Sequence, residues 1–481
     1  MLKNRAVKTV FIVSLSILII GLGYLYWPRG GSEVVEDDIY TTDLSEIKKK
    51  GVLRATTNYN STNYFIYRGQ PMGFHLELLK LFANHIGVEL EVFVTNDLEE
   101  NFACLISSSE CDIIAMDLTV TRSRSQLFSF TEPHSQTRQV LVQRLPDNWY
   151  SMHSAQIEDE LIRNQLDLAG KTIHVQRNSA YVARLNHLME EIGDTIYVVE
   201  VDKEVETLIE QVANGEIGYT ISDENLAQVN ENYYANIDAK TPISFHQNLA
   251  WAVRHDSNEL LEAINKWMVD FKQTRQYVSL YNKYFKNPRS AYIAKSQFNT
   301  LRGGNISAYD DYFKEFSEKN GWDWRLVASV AFQESRFDPT AVSWAGAFGV
   351  MQLMPRTAAK YNVYQNSPVV DNIAAGVNYL NLLDNRLKRH IEDDEERLKF
   401  VLAAYNVGIG HVLDARRLAE KHGKDPNVWK DNVDYFILNK SKANYYNDPV
   451  VKYGYARGSE PYHYVIEVLE RYEHYKNALD G

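Results

Sequence analysis

One carboxyl group lies at a helix position where the hydrophobic pattern predicts a buried side chain. In WDWRLVASVAFQESRFDP, Glu334 follows Val327 by seven positions, and apolar residues occupy the positions three and four after Val327. This spacing puts all four residues on one face of a helix. A carboxyl group in an apolar setting has a raised pKa, which is the property that a general acid needs near neutral pH. The alternative from spacing alone is a solvated glutamate near the end of a helix.

Small and turn-forming residues follow this candidate acid. The segment SWAGAFGVMQLMPRTAAKY combines glycines and Pro355 with amide and hydroxyl side chains. This composition predicts a shaped loop beside a site rather than another regular helix. Further along, LAAYNVGIG ends a predicted helix, and Gly408 is explained as the cap of that helix. Capping does not require Tyr405 or Asn406, so both are candidates for contact with a ligand.

The same residues belong to four ordered motifs that resemble the soluble lytic transglycosylase domain, which has a lysozyme-like fold. The motifs are ESRFDPTAVS (334–343), GAFGVMQLMPRTA (346–358), AAYNVG (403–408) and YV (464–465). The segments that extend the resemblance over most of 296–481 are DNIAAGVNYL (371–380), GHVLDAR (410–416) and GYARGSE (454–460). The last two are similar to the membrane-bound F-type transglycosylases in particular.

The resemblance implies non-hydrolytic cleavage of peptidoglycan glycan strands. The β-1,4 bond between N-acetylmuramic acid and N-acetylglucosamine would be cut to leave a 1,6-anhydromuramoyl end. Glu334 would protonate the leaving oxygen and then, as a carboxylate, accept the proton of the muramoyl C6 hydroxyl. This chemistry needs no second carboxyl group, unlike that of two-carboxylate glycosidases. A hydrolytic lysozyme is an alternative, and it would need a base that activates water.

The resemblance also implies roles for other residues near Glu334. Tyr464 is expected to support the acid. The residues expected to hold the N-acetyl group and the sugar are Ser343, Gln352 and Tyr405. Ser335 and Asn406 are candidates for a sugar contact, with a structural role as the alternative, and Met351 is expected in the wall of the site. Asp338 is the nearby acidic candidate for a second carboxyl role, with a structural turn residue as the alternative. No metal or cofactor is expected, because two cysteines cannot form a zinc site alone and no HExxH motif is present.

An earlier part of the chain alternates short β-rich runs with helical stretches, which is the rhythm of an α/β fold. A first set is VLRATT, FHLELLKLFANHIG, ELEVFV and CDIIAMDLTV, and a second set is KTIHVQR, AYVARLNHLMEEIG, IYVVEV and IGYTIS. The runs at 138–144 and 248–254 bracket the second set and are predicted to cross between two lobes. A ligand site is then expected in the cleft between the lobes.

Residues 44–288 resemble the periplasmic amino-acid-binding proteins, with a second lobe at about 145–247. The matching stretches are LSEIKKKGVLRA, GFHLELLKLFANHIG and DLTVTRSRSQLFSFTEP. In that family the arginine of T-x-x-R grips a carboxylate, as guanidinium geometry favours, so Arg124 is the first candidate. The other candidates are Phe65 for stacking, Thr119 and Ser179 for hydrogen bonds, and Asp223 for an amino group. Asp117 departs from the family pattern, in which a glycine or another small residue is commoner.

Residues 1–30 have the pattern of a signal sequence or membrane anchor. Positive residues at positions 3, 5 and 8 precede an uncharged run from Thr9 to Trp27. A helix over this run would rise about 28 Å, close to the thickness of a bilayer core. The positive end is expected inside the cell and the remaining chain outside the cytoplasm. Cleavage of the segment stays open, since no A-x-A site follows it. Residues 31–43 are polar and acidic, and we expect a linker there.

Length and composition narrow the class of protein further. A chain of 481 residues is expected to form about three folding units. The net charge of −12 argues against nucleic acid as a partner. In an oxidising envelope compartment Cys104 and Cys111 could form a disulfide bond, and two separate buried thiols are the alternative.

The expected architecture is a two-lobed α/β domain at 44–288 followed by a mainly α-helical, lysozyme-like domain at 296–481. The expected function is a peptidoglycan lytic transglycosylase whose two-lobed domain senses a small amino acid or peptide. The alternative is an envelope solute-binding protein whose helical domain only docks on peptidoglycan. The resemblance implies peripheral attachment to the outer membrane on the periplasmic side, whereas the N-terminal segment fits the inner membrane equally well.

Overall fold

The computed structural model describes residues 43–107, 110–287, 293 and 296–479. The predicted membrane segment and nearly all of the predicted linker lie outside these residues. In the described part of the chain, no helix combines the length and the apolar character that a membrane span requires. Two larger β-sheets with their helices, and a two-stranded sheet, precede a region made almost entirely of helices, which confirms the predicted fold class.

The strands and α-helices are numbered in chain order. The strands are β1 (Val52–Thr57), β2 (Phe65–Tyr67), β3 (Gln70–Met72), β4 (Glu89–Val94), β5 (Ile113–Thr119), β6 (Ser129–Phe130), β7 (Ser135–Thr137), β8 (Gln139–Arg144), β9 (Thr172–Gln176), β10 (Tyr197–Val201), β11 (Tyr219–Asp223), β12 (Ile237–Pro242) and β13 (Gln247–Val253). The α-helices are α1 (Leu44–Lys50), α2 (Phe74–Ile86), α3 (Leu98–Ile106), α4 (Ser154–Glu160), α5 (Ala180–Ile192), α6 (Val205–Asn214), α7 (Glu224–Glu231), α8 (Asn258–Lys272), α9 (Arg275–Tyr281), α10 (Thr300–Gly303), α11 (Asp310–Asn320), α12 (Trp324–Ser335), α13 (Pro355–Ala358), α14 (Val369–Leu387), α15 (Asp394–Val407), α16 (Ile409–Lys421), α17 (Asp434–Leu438), α18 (Ala443–Tyr446) and α19 (Ser459–Leu479).

The first lobe contains a sheet with the strand order β4-β1-β5-β13-β6, and β7 also pairs with β13. Strand β1 lies parallel to β4 and β5, whereas β13 runs antiparallel to β5. Apolar residues of α2 and α8, such as Phe74 and Met268, pack in one core with the fully buried Trp251 of β13. Cys104 and Cys111 form a disulfide bond that joins the end of α3 to the segment before β5.

The second lobe contains a sheet with the strand order β10-β9-β11-β8-β12. The chain enters this lobe between β7 and β8, at Arg138, and leaves it between β12 and β13. Both changes of sheet fall at or beside the two runs that the sequence predicts to cross between lobes. The cleft between the lobes therefore lies beside two short crossing segments, which is the expected position for a ligand.

The helical domain is organised around α12. This helix is buried from Leu326 to Phe332, and the N-cap residue Asp323 accepts a hydrogen bond from the backbone N–H of Arg325 at 2.9 Å. Its apolar residues share a core with α11, α14, α15 and α19. Because a short polar cap starts α12 and apolar neighbours surround it, the helix forms a rigid support for residues at its C-terminal end.

The β2–β3 hairpin of the first lobe packs into the core of the helical domain. Ile66 is fully buried in the same hydrophobic cluster as α12, and its N–H donates to the hydroxyl of Thr300 at 3.1 Å. At the tip, the carbonyl of Gly69 accepts a hydrogen bond from the Tyr475 hydroxyl at 2.8 Å. A Cβ at Gly69, whose φ is +75°, would lie 2.6 Å from the ring of Phe337. Glycine is therefore required there by both conformation and space.

Candidate active site

Glu334 lies in the last turn of α12, and its environment suits a proton donor. Its Oε1 accepts a hydrogen bond from the Tyr464 hydroxyl at 2.7 Å. Burial raises the pKa of Glu334 to about 7, the Tyr464 hydrogen bond opposes that rise, and the nearby carboxyl group of Glu460 adds to it. Near neutral pH the group can therefore both give up a proton and take one back.

Helix α19 holds α12 in place directly before Glu334. The Ser329 hydroxyl donates to a backbone carbonyl of α19 at 2.7 Å. The Arg471 guanidinium lies over the Phe332 ring, with 4.4 Å from its Cζ to the ring centroid, and donates to Gln333 Oε1 at 3.0 Å. The acid and its tyrosine partner are thus carried by two helices that are fixed to each other by several side chains.

The chain reverses sharply where α12 ends. Arg336 and Phe337 have left-handed φ values of 54° and 65°, which are costly for residues other than glycine and cluster at functional sites. Before the reversal, the Ser335 hydroxyl donates to the carbonyl of Val350 at 2.8 Å. Ser335, predicted to contact sugar, thus ties the following loop to the helix that carries Glu334.

Two other predicted sugar-binding residues hold the backbone of this loop. Gln352 Nε2 donates to the carbonyls of Ala341 and Gly349, at 2.9 Å each. The Ser343 hydroxyl accepts a hydrogen bond from the N–H of Ala347 at 3.0 Å. The loop is consequently shaped by its own polar side chains, as its composition predicts.

Met351 is fixed through its backbone by two helices. Its N–H donates to Asn372 Oδ1 at 2.9 Å, and its carbonyl accepts from the Tyr405 hydroxyl at 2.8 Å. The Met351 side chain is fully buried and packs against Gly376, where a Cβ would lie 2.6 Å from the Met351 Cγ. The structure therefore places the Met351 side chain in the core, while its backbone anchors the loop.

The remaining predicted residues lie near the end of α15 and in the turn after α12. Burial raises the pKa of Tyr405 well above its ordinary value, and the nearby Glu334 carboxylate adds to the rise. Asn406 is half-buried next to Tyr405 near the end of α15. Asp338 is exposed and accepts hydrogen bonds from the Thr340 N–H and hydroxyl, at 2.8 and 2.7 Å. This geometry favours the turn role of Asp338 over a second carboxyl role.

A second candidate site lies in the cleft between the two lobes, which enclose a cavity of about 70 Å³. The predicted ligand residues that line it are Thr119, Arg124, Ser179 and Asp223. Hydrogen bonds bridge the lobes beside it, from Asn58 Nδ2 to Glu204 Oε1 at 3.0 Å and from the Ser61 N–H to Glu206 Oε2 at 2.9 Å. The lobes are therefore in contact around the cavity.

The charged residues of the cleft are held from both lobes. Arg124 begins a 3₁₀ turn, donates to the Thr119 carbonyl at 3.2 Å and lies over the Phe102 ring, 5.6 Å from its centroid. Asp223 Oδ2 accepts a hydrogen bond from the Tyr181 hydroxyl at 3.2 Å. Burial raises the pKa of Asp223 to about 7. A guanidinium and a carboxyl group thus face one small cavity.

The structure places Phe65 away from this cavity. Its ring packs in the core of the first lobe, edge-on to the ring of Tyr284 at 6.3 Å between centroids. Side chains that line the cavity but were not predicted from the sequence include Asn58, Asn60, Asn63, Asp117 and Glu204. They precede β2, end β5 or begin α6, and no sequence pattern marked them as a group.

Three side chains of the first lobe have the spacing of metal ligands. The candidate ligand atoms of His75, Asp117 and His134 lie within 4.8 Å of one another. Trp251 Nε1 donates to His75 Nδ1 at 2.8 Å, so the neutral His75 ring carries its proton on Nε2, which lies 3.1 Å from Asp117 Oδ1. A protonated nitrogen cannot coordinate a metal, and this geometry therefore favours a hydrogen-bonded cluster over a metal site.

Known families match both halves of the chain. The family of bacterial extracellular solute-binding proteins, family 3, matches residues 53–287, and the transglycosylase SLT domain matches residues 311–428. A membrane-bound lytic murein transglycosylase F of Desulfosudis oleivorans is 35% identical over 472 residues, which cover 98% of each chain. This chain belongs to the membrane-bound lytic murein transglycosylase F family. Another similar protein, membrane-bound lytic murein transglycosylase F 1 of Alkalilimnicola ehrlichii, is 31% identical over 96% of this chain and 89% of its own length.

Within this transglycosylase F chain, the first half also resembles a solved structure. The ancestral amino acid-binding protein AncCDT-1 is 23% identical, with a TM-score of 0.42, and the match covers 50% of this chain and 99% of that chain. The two family matches place a solute-binding-protein-like α/β region and a helical transglycosylase domain in one polypeptide.

Two residues near the candidate acid were not predicted from the sequence. Glu460, the last residue of GYARGSE (454–460), precedes Tyr464 by four positions in α19 and so shares its helix face. Asn372 lies within DNIAAGVNYL, and only its contacts with the loop backbone show its role. The four-residue spacing between Glu460 and Tyr464 is visible in the sequence, whereas the role of Asn372 follows only from its contacts in the tertiary structure.

Proposed function

We propose that Glu334 carries out both proton transfers of glycan cleavage in this lytic murein transglycosylase. The observation that carries the proposal is a half-buried carboxyl group with a pKa of about 7, held at 2.7 Å by the Tyr464 hydroxyl. Asp338, the nearby acidic candidate for a second carboxyl role, accepts a hydrogen bond within its own turn. A single acid that later acts as a base matches a reaction without an activated water.

The proposed reaction balances without any other reagent. Protonated Glu334 gives its proton to the glycosidic oxygen as the C1–O bond of the muramoyl residue breaks, and N-acetylglucosamine leaves as an alcohol. The muramoyl C6 hydroxyl then forms a bond to C1, and its proton passes to the Glu334 carboxylate. The acid is regenerated in its starting state, and the new end is a 1,6-anhydro ring.

Tyr464 and the loop have distinct parts in this proposal. The Tyr464 hydrogen bond stabilises Glu334 while it is a carboxylate, since the bond lowers the pKa of the acid. The loop between Ser343 and Gln352, with Tyr405 and Asn406, provides the surface for the N-acetyl group and the sugar ring. Its internal hydrogen bonds keep that surface in one shape before substrate arrives.

The test is the identity of the products. Purified sacculi are digested with the full chain in water enriched in the heavy isotope of oxygen, and the glycan ends are weighed by mass spectrometry. The proposal expects muramoyl ends that are lighter than hydrolysed ends by one water molecule and carry no heavy oxygen. Muramoyl ends that carry heavy oxygen would show hydrolysis and would overturn the proposal. Digestion with Glu334→Gln provides the control for any contaminating enzyme.

The two-lobed domain is proposed to bind a small solute and to adjust cleavage. Arg124 is suited to a carboxylate and Asp223 to an amino group, and both face the same cavity. A domain that closes on a ligand offers two states whose balance the ligand can change. Cleavage of sacculi is measured with and without amino acids and peptides that are shown to bind. An unchanged rate across all bound ligands would contradict the sensing role.

The cell envelope is the location that the family name and the substrate support. Residues 1–30 are proposed to direct the chain across the inner membrane, so that both domains lie on the periplasmic side. Outer-membrane attachment follows from the resemblance to F-type enzymes. Fractionation of inner and outer membranes, with the full chain and with a form lacking residues 1–30, distinguishes the two membranes.

A further inference from the structure

The cleft between the lobes contains a carboxylate that the binding of a simple amino acid does not require. Asp117 lies in β5, two positions before Thr119, and lines the cavity with 23% of its side chain exposed. Arg124 and Asp223 already provide one partner for a carboxylate and one for an amino group. Asp117 is therefore a third charged group in a small space.

The surroundings of Asp117 hold it in the charged form. His75 is fully buried and, because Trp251 donates to its Nδ1, it presents an Nε2 proton to Asp117 Oδ1. Burial on its own would raise the pKa of Asp117, but the interactions with His75, His134 and Asn63 hold it below its ordinary value. The Asp117 carboxylate thus lines the cavity, and its hydrogen bond with His75 fixes its orientation.

Other polar atoms in the cavity have no partner within the protein. They include the Ser179 hydroxyl and Asp223 Oδ1, in residues that are only 9% and 8% exposed, and also Glu204 Oε2. Buried polar groups almost always form hydrogen bonds, so these atoms indicate contacts that a ligand would make. Two of the three atoms are carboxyl oxygens, which can accept hydrogen bonds from a cationic donor.

The charges that line the cavity do not balance. Arg124 is the one cationic side chain among the described residues that line it, against the carboxyl groups of Asp117, Glu204 and Asp223. Burial raises the pKa of Glu204 and of Asp223 to about 7 each, so both are partly ionised near neutral pH. An amino acid with a neutral side chain adds no net charge, and buried charges without a partner are costly.

We propose that this cleft selects an amino acid whose side chain ends in a cation, and that Asp117 is the residue that recognises that second cation. Arg124 and Asp223 then hold the carboxylate and the amino group of the same ligand, and Glu204 supplies a further acceptor. The inference rests on the proposed ligand-binding role of the two-lobed domain and names the class of its ligand.

The cavity between the lobes is small. Its volume of about 70 Å³ corresponds to roughly five to seven water positions at 10–15 Å³ each. Hydrogen bonds between the lobes lie beside the cavity. A free amino acid with a cationic side chain, such as lysine or arginine, supplies the positive charge that the lining lacks.

The test compares two ligands that differ in one charge. Isothermal titration calorimetry of the full chain measures the affinities of L-lysine and of L-norleucine, which has a lysine-like chain without the ammonium group. We expect L-lysine, or L-arginine as a second cationic probe, to bind at least about tenfold more tightly than L-norleucine. In Asp117→Asn, which keeps an acceptor for His75, the preference should fall to about twofold or less. Asp117→Ser serves as a second variant, and Asp256→Asn, an exposed carboxyl group of the same lobe, is the matched control.

The outcomes separate this inference from the proposed function on which it rests. Equal affinities for the cationic and neutral ligands, or an unchanged preference in both Asp117 variants, would overturn the role of Asp117 and leave an amino-acid site in place. Binding of only neutral or acidic amino acids by the wild type would also overturn it. Binding of no amino acid by the wild type would remove both the inference and the proposed amino-acid ligand.

Discussion

Two carboxyl groups in this chain have the same raised pKa and differ in one neighbouring charge. Burial raises the pKa of Glu334 and of Asp223 to about 7 each, and each accepts a hydrogen bond from a tyrosine hydroxyl. A second carboxyl group acts on each of them, whereas a cation, Arg124, acts on Asp223 alone. The buried carboxyl and tyrosine pair is therefore shared, and the neighbouring charges differ.

The difference shows why one site suits chemistry and the other suits binding. Without a cationic neighbour among the groups that act on it, Glu334 keeps a proton that it can pass to a leaving oxygen. Asp223 lies near the cation Arg124 and the carboxylate Asp117. A cationic group of a ligand would favour the charged form of Asp223 and would be held by it. A raised pKa alone does not identify a catalytic acid. The charges around it decide which role it takes.

The largest expected effect comes from removing the proton of Glu334. Glu334→Gln should lower the rate of glycan cleavage about a thousandfold, which lies within the usual contribution of a general acid. The rate of release of soluble fragments from labelled sacculi measures it. Asp338→Asn is the matched control, because Asp338 bonds within its own turn, and it should keep nearly the full rate. Comparable losses in both variants would contradict the single-acid account.

A second effect concerns the tyrosine partner of Glu334. In Tyr464→Phe the hydrogen bond that lowers the pKa of Glu334 is lost, so this pKa should rise by about one unit or more. Because the reaction starts from protonated Glu334, the alkaline limb of the pH–rate profile should move to higher pH. The neutral-pH rate should fall about tenfold as the carboxylate loses its support. Tyr472→Phe, on the same helix with its hydroxyl on Asp323, should leave the profile unchanged. An unshifted alkaline limb in Tyr464→Phe would show that Tyr464 has only a packing role.

A third effect concerns the stability of the first lobe, measured separately from cleavage by the helical domain. The disulfide bond between Cys104 and Cys111 closes a short loop in the first lobe, and its removal should lower the free energy of unfolding by about 2.5 kcal/mol. Denaturant unfolding of the Cys104→Ser, Cys111→Ser double variant measures it, against wild type. The cleavage rate well below the transition should stay the same, since the bond lies in the first lobe and not in the helical domain. A matching loss of cleavage would show that the active site depends on the fold of that lobe.

The smallest expected effect concerns the contact between the two regions. Tyr475→Phe removes the hydrogen bond to the Gly69 carbonyl at the tip of the β2–β3 hairpin and should cost about 1 kcal/mol of unfolding free energy. Calorimetry should show the lower stability in the transition of the helical domain. No change in that transition would mean that the hairpin packs on the domain without stabilising it.

The sequence was sufficient for the two-part fold, and it identified Glu334 as the candidate acid. Glu334 lies on a predicted apolar helix face and begins the motif ESRFDPTAVS. The alternation of strand and helix patterns predicted both lobes. The insertion of Ile66 into the helical core could not be predicted, because it depends on packing between residues far apart in the chain. The pairing of the two cysteines stayed open for the same reason.

Individual side chains were harder to predict than motifs. Ser335, Ser343 and Gln352 were expected at the sugar, and the structure shows each bonded to backbone of the loop. Phe65 was expected in the ligand cleft and lies in the lobe core. A motif identifies which residues belong to a site, whereas the direction of each side chain follows from neighbours that the motif does not contain.

The most direct test of the account is the pKa of Glu334 itself. The side-chain carboxyl carbons of the glutamates are isotopically labelled in the full chain. The Glu334 signal is identified by its absence in Glu334→Gln, and its chemical shift is then followed by NMR as the pH is changed. We expect that carboxyl group to titrate with a pKa of about 7. A titration near the ordinary value of 4.5 would contradict the claim that burial prepares Glu334 to act first as acid and then as base.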